Sequence, residues 1–193
     1  MPRRESPKIP LDLKERPYDY QFVPKGQETR RAILDHALQV ATKEGLEGLT
    51  IGRLAQDLQL SKSGLFAHFR GEEELLLQVL ETARARFVDQ VVKPGLAAPR
   101  GEPRVRGLFE SWLTWERSSA LPGGCPFIAA AVELDDRPGP TRDFLAQSQK
   151  DWLDVLANAA RTGIREGQFG PDFDPEQFAY DVHGAMLSYH HLS

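Results

Sequence analysis

The sequence has almost no cysteine: Cys125 is the only one in 193 residues. An internal disulfide is thereby excluded, and so is a zinc cage built on thiolates. Long apolar runs are missing too, and no stretch approaches the roughly 20 residues that a helix needs to cross a bilayer. Arg3 and Arg4 are followed by Pro, Asp and Lys instead of an apolar segment, so no secretory leader is expected. These absences fit a cytoplasmic protein that does not engage a membrane. No alternation of apolar and polar residues is long enough for a strand, and no repeat is visible. There is no Walker loop, no G-x-S-x-G and no H-E-x-x-H, so no enzyme is expected. Asp135 and Asp136 read as solvated acids at a turn. His183, His190 and His191 fall near the end of the chain, but no cysteine or suitably spaced carboxylate completes a ligand set; neither a metal nor another cofactor is expected.

A strong positive charge is also lacking, since the net charge is −4. Its distribution matters more than its sum. Up to residue 71 there are 12 Lys and Arg against 9 Asp and Glu; from residue 72 there are 12 against 19. A mildly basic head on an acidic body suits a chain that touches nucleic acid at one end only. The apolar share of 40% is ordinary for a globular protein.

What the sequence does contain is helical period, which places it in the all-α class. Residues 1–25 carry five prolines and read as a flexible tail, with Tyr18, Tyr20 and Phe22 alternating in it; a basic arm entering a DNA groove is a second reading. From Gln27 the stripe Ile33, Leu34, Ala37, Leu38, Ala41 predicts a helix that Gly45 ends. Thr50 and Ser61 have the chemistry of N-caps for two short helices. Glu72, Glu73 and Glu74 suit the first turn of a fourth, predicted to stop at Pro94-Gly95. Further helices are expected over Val105–Ala120, over Phe127–Leu134, from Pro140 to Glu166, and from Asp174-Pro175-Glu176 to the end of the chain. That last helix reaches Ser193 without a cap, which leaves open whether a further helix follows.

The informative stretch is Leu49 to Leu75. Two short helices flank a tight turn at Gln59–Ser61, and small or polar residues open the second. A helix-turn-helix needs this, because bulky groups at the second helix's N-terminal end would hold it away from base edges. Ile33-Leu34, Gly45, Leu49-Thr50, Leu54-Ala55, Ser61-Lys62, Leu65-Phe66, His68-Phe69, Glu73 and Leu75 together resemble the TetR family of regulators. The likeness is strong over residues 27–87, and the segment GGCPFIAAAVELDDRPGP at 123–140 resembles a subgroup of that family. The resemblance implies a DNA-binding unit at 27–87, with its helix-turn-helix at 50–70, and a ligand-binding, dimerising helical body at 88–193.

Carried over residue by residue, the resemblance implies that Thr50 and Arg53 touch the DNA backbone or a base. Lys62, Ser63, Gly64 and Leu65 would face the major groove, with Ser61 opening that helix, although the helical period by itself points Leu65 inward with Phe69. Phe66 reads either as a groove contact or as a packed aromatic, and His68 either as a phosphate contact or as a satisfied, partly buried histidine. The partners implied are a double-stranded operator, a second copy of the chain and an unknown small-molecule effector. The aromatic residues Phe109, Trp112, Trp115, Phe127, Phe144 and Trp152 are expected to line the effector cavity, ordinary core packing being the competing reading. The dimer face is expected on the last two long helices, at Trp152, Leu153, Leu156, Ala160, Phe178, Val182, Met186 and Tyr189. Cys125 reads as a small buried residue, with an electrophile sensor as the alternative.

Two positions depart from the family pattern. Phe66 stands where tyrosine is common, and Glu72 where lysine is common. Each removes a phosphate contact, for which Lys25, Arg30, Arg31 and Arg70 are candidate substitutes. The expected function is a ligand-released transcriptional repressor; the alternative is a TetR fold that has lost DNA binding and serves as a protein-interaction module.

Overall fold

The stripe Ile33, Ala37, Leu38, Ala41 is buried along α1 (Lys25–Glu44) in the computed structural model, which describes residues 25–193. The tail over residues 1–24, including Tyr18, Tyr20 and Phe22, lies outside the described residues, as does the side chain of Lys25. Gly45 ends α1 at φ +77°, a conformation in which a Cβ is strained. The Thr50 hydroxyl accepts from the Arg53 amide at 3.2 Å and starts α2 (Ile51–Asp57). Ser61 does the same for the Gly64 amide at 3.0 Å and starts α3 (Lys62–Phe66). Between them the chain turns through Gln59 at φ +54°. Leu54, Leu65 and Phe69 then close over α1, together with Leu75 and Val79 of α4 (Glu72–Phe87).

The expected stop at Pro94-Gly95 does not occur. A π-wound turn over Val88–Val92 follows α4, the Lys93 amide donating to the Val88 carbonyl five residues back, and α5 (Lys93–Ala97) continues the rod. The wider turn resets the hydrogen-bond register, so Pro94 falls in the first turn of α5, where a missing N–H is tolerated. Residues 87 and 88, the expected border between the two units, are therefore joined by uninterrupted helix. One buried cluster runs across them from Ile33 to Met186. Gly95 lets α5 close onto α6 (Glu102–Glu116): a Cβ there would lie 2.8 Å from the Leu108 Cα.

α7 (Pro126–Glu133), α8 (Pro140–Arg165) and α9 (Pro175–Leu192) complete the body, with α8 and α9 packed along each other. The Asp174 carboxylate accepts from the amides of Glu176 and Gln177, as a helix-starting Asp-Pro-Glu should. Among the described residues every regular element is helical, and no helix is long and apolar enough to cross a membrane.

The Gly-Gly-Cys-Pro segment before α7 has a steric reason. A Cβ at Gly123 would overlap the Thr42 carbonyl oxygen of α1 and lie 2.9 Å from the Lys43 amide nitrogen. Gly124, at φ +82°, would place one 2.9 Å from His190 Nδ1. The loop therefore touches the head through backbone, and neither position has room for a side chain. Gly123→Ala should destabilise the chain by about 1–3 kcal/mol, because helix and loop must separate to admit the methyl. Urea unfolding of the full chain measures it, and a shift below about 0.5 kcal/mol, the level of a surface change, would contradict the close approach.

The expected dimer face needs correction. Trp152, Leu156, Ala160 and Met186 are buried within the chain's own core, so they have nothing left to offer a second copy. Phe178 belongs to a ring cluster with Phe173 at 5.2 Å and Phe169 at 6.3 Å. Leu153, Val182 and Tyr189 are half-buried against the same core. Outward, α9 presents Tyr180, Gly184 and Leu192 instead.

Candidate nucleic-acid interface and effector cavity

α3 is only five residues long, so its two faces are easily separated. Leu65 and Phe69 lie four apart and point the same way, and both are fully buried. Leu65 is thus a core residue and not a groove contact. What remains outward is Ser61, Lys62, Ser63 and Phe66, with Gly64 half-exposed between them. Phe66 is 52% exposed, so its ring is presented to solvent and not packed. Thr50 is exposed at the start of α2, although its hydroxyl is occupied by the cap.

Charge around this face is less free than the sequence suggests. Arg53 binds Glu44 through both terminal nitrogens, Nη2 at 2.7 Å, and reaches Asp57 at 3.6 Å. The hydrogen bond from Arg53 holds the Glu44 carboxyl below its usual range and raises the guanidinium in turn. A phosphate contact by Arg53 would have to displace this exposed pair. Arg30 is not a phosphate donor in waiting. Its guanidinium lies 5.0 Å over the Phe69 ring, donates to Gln78 Oε1 at 2.6 Å and also reaches the His68 carbonyl. It is built into the head. His68 is half-buried, its ring centroid 6.4 Å from that of Phe69. Arg31 and Arg70 are exposed, and so is Glu72.

The body holds a small cavity of about 50 Å³ between α4, α6, α7, α8 and α9. Trp112, Phe127 and Trp152 line it as expected residues, alongside Arg84, Phe87, Cys125, Ile128, Ser148, Gln149 and His183. Phe109, Trp115 and Phe144 are not part of its wall. Phe109 stacks on Trp112 at 6.3 Å, Trp115 is buried beside Phe87, and Phe144 lies under the Arg84 guanidinium at 5.5 Å. Phe87, not foreseen from sequence, is the hub. It meets Trp152 at 5.0 Å, Trp115 at 5.6 Å and Phe127 at 5.8 Å, edge to face each time. It falls on the buried stripe of α4 with Leu80 and Ala83, so its inward direction follows the helical period, but the three rings it meets are brought to it by other helices.

Burial pushes the Cys125 thiol up to about 11. At neutral pH it stays a thiol, which removes the thiolate that an electrophile sensor needs. Burial also lowers His183, so this wall residue is held toward its neutral form. Among the described residues no three His, Cys, Asp or Glu side chains gather as a metal cluster.

Two acidic residues tie head to body and a third ties parts of the body together, with partners that the sequence did not indicate. Glu133 at the end of α7 accepts the Leu46 and Glu47 amides at 3.0 and 2.9 Å. Glu73 of α4 accepts from the buried Thr141 hydroxyl of α8 at 2.7 Å. Glu116, buried on α6, accepts the Cys125 amide at 2.9 Å and pairs with His190 Nδ1 at 2.7 Å. Nothing in the local spacing of these acids marks the role; only their distant partners reveal it.

Residues 33–79 match the family model of the bacterial regulatory proteins, tetR family, and residues 101–193 match that of the tetracyclin repressor-like C-terminal domain. Over 84 residues the chain is 29% identical to the HTH-type transcriptional repressor AcnR of Corynebacterium diphtheriae, and it spans 44% of that relative's length and of its own. A TetR transcriptional regulator from Chloroflexus aurantiacus superposes with a TM-score of 0.79 at 23% identity, covering 87% of this chain and 85% of the other. AibR, crystallised with isovaleryl coenzyme A and operator DNA, superposes with a TM-score of 0.71 at 24% identity, covering 85% and 86%. The solved structures share the whole architecture, and the two sequence matches cover head and body in turn: the chain belongs to the TetR family of bacterial regulatory proteins.

Proposed function

We propose that the chain is a transcriptional repressor that binds a pseudo-palindromic operator as a homodimer and is released by a small ligand in the body cavity. The observation that carries this reading is α3. It is capped by Ser61, anchored by Leu65 and Phe69, and offers Lys62, Ser63 and Phe66 outward at the end where a recognition helix meets bases. Lys62 supplies charge, Ser63 a donor and acceptor, and Phe66 an apolar ring suited to a thymine methyl. Thr50, Arg53 and His68 flank them as backbone contacts. AibR, a structural neighbour, was crystallised with both an acyl-coenzyme A and operator DNA, which supports a ligand-responsive reading. The steric demands on Gly123 and Gly124 support assignment to a subgroup marked by the GGCPF loop. The dimer is assigned to the outward face of α8 and α9, around Tyr180 and Gly184. Two such heads must be about one helical turn of DNA apart, roughly 34–36 Å, or a multiple of that.

Selection of bound sequences from a random duplex library by the purified chain tests the proposal. A palindromic winner whose affinity falls steeply with salt is the expected result. No enriched site would overturn it and favour the second reading, a TetR fold without DNA binding, which the Arg53–Glu44 pairing and the exposed Glu72 support.

Glu72 gives a graded prediction. Glu72→Lys replaces repulsion by a phosphate contact, so the slope of log affinity against log salt should steepen by about one unit. A salt titration of duplex binding measures it, and an unchanged slope would mean that α4 does not approach the DNA backbone.

A further inference from the structure

The cavity wall has one property that its apolar lining does not explain. Trp152 is 7% exposed, and its indole N–H has no hydrogen-bond partner among the described residues. A buried N–H left unpaired is costly, so such groups normally find an acceptor. The buried indole of Trp115 belongs to a residue outside the wall and is turned to the Cys125 thiol. Trp152 therefore stands out as a wall residue whose buried donor is unpaired among the described residues.

The charges near the mouth decide what kind of acceptor fits. Among the described residues of the wall Arg84 is the one Lys or Arg, and it already binds Asp151 at 2.9 Å while covering the Phe144 ring. Its charge is thus compensated, and a carboxylate ligand would have to displace Asp151. The Ser148 hydroxyl is committed to the Phe144 carbonyl at 2.8 Å. His183 makes no hydrogen bond among the described residues, and its burial disfavours the imidazolium.

Resting on the reading of this cavity as the effector site, we propose that the effector is an uncharged, mainly apolar molecule with a single hydrogen-bond acceptor such as a ketone, bound by the Trp152 indole N–H within the ring wall of Phe87, Trp112 and Phe127. The space of about 50 Å³ is small beside the 150 Å³ cavity that holds a benzene ring in another protein. Entry of a ring-sized ligand therefore displaces the half-exposed Ser148 and Gln149 at the mouth. Because Trp152 is on α8 and Phe87 on the rod that carries the head, a ligand between them separates α8 from that rod. Differential fit to the two arrangements is what links occupancy to head position.

Three probes of similar size separate the alternatives: acetophenone (neutral, one acceptor), ethylbenzene (no acceptor) and benzoate (charged). Each is titrated calorimetrically into the full chain and into Trp152→Phe. Acetophenone should bind about tenfold more tightly than ethylbenzene, as expected for satisfying a buried donor, and more tightly than benzoate. Trp152→Phe should abolish most of that preference while leaving ethylbenzene nearly unchanged. Equal binding of acetophenone and ethylbenzene to the unaltered chain would overturn the role of the N–H, whatever the variant's stability. Tightest binding of benzoate would overturn the uncharged class and put Arg84 in its place. If none of the three binds, the effector-cavity reading itself fails, and this proposal with it.

Discussion

Glu116→Ala should cost about 2–5 kcal/mol of stability, because it leaves two buried hydrogen-bond donors unpaired at about 1–3 kcal/mol each. The Glu116 side chain is 4% exposed and that of His190 11%. The carboxylate has only acceptors, so His190 Nδ1 must carry the hydrogen between them, and the Cys125 amide donates to the other oxygen. Alanine leaves both donors buried and unpaired. For a chain of this size the midpoint of thermal unfolding should fall by roughly 10 °C. Adding His190→Ala to Glu116→Ala should cost little more, because the two residues act as a unit. A loss under about 1 kcal/mol, or fully additive losses, would show that α9 and the loop before α7 are held by something else. The consequence reaches function, because that loop abuts Thr42 on α1 and the pair joins α9 to it.

Phe69→Ala is expected to be as damaging, at about 3–5 kcal/mol. The ring is 1% exposed and lies under the Arg30 guanidinium, which also holds the His68 carbonyl and Gln78. Its loss leaves a cavity below α3 and frees Arg30, so the recognition helix loses its support. Operator retention should vanish together with stability. Phe66→Ala, three residues earlier and solvent-facing, should change stability by no more than about 0.5 kcal/mol, yet still weaken operator binding. Denaturant unfolding and a duplex retention assay on both variants separate the roles. Equal stability losses would refute the assignment of one ring to the core and the other to the groove.

The contrast between these two phenylalanines shows what was legible in advance. The helical period, the caps at Thr50, Ser61 and Asp174 and the turn at Gln59 are local features, written within a few residues of where they act. They were read correctly because propensity and capping depend on near neighbours. Leu65 carries two signals: the helical period points it inward with Phe69, while the family resemblance places it at the groove, and the structure buries it beside Phe69. At Pro94 the sequence rule for a stop lost to a π-wound turn, which moved the proline into a tolerated first-turn position.

The sequence by itself determined the helical class, the head with its capped short helices and small or polar Ser61, Lys62 and Ser63, and the absence of an internal disulfide, while the exposure of Phe66 was decided by the tertiary structure. Tertiary structure alone decided which apolar residues face one another. It put Trp152, Leu156, Ala160 and Met186 into the chain's own core and left Tyr180 outside. It also chose Phe87 as the aromatic hub, occupied Arg30 and Arg53 before any DNA arrives, and gave Glu73, Glu116 and Glu133 partners dozens of residues away. The reason is physical: capping and period are set along the chain, while burial and pairing are set between helices whose approach depends on side-chain volume at distant positions. Gly123 belongs to both levels, a visible break in the sequence whose purpose is fixed only by the Thr42 carbonyl packed against it.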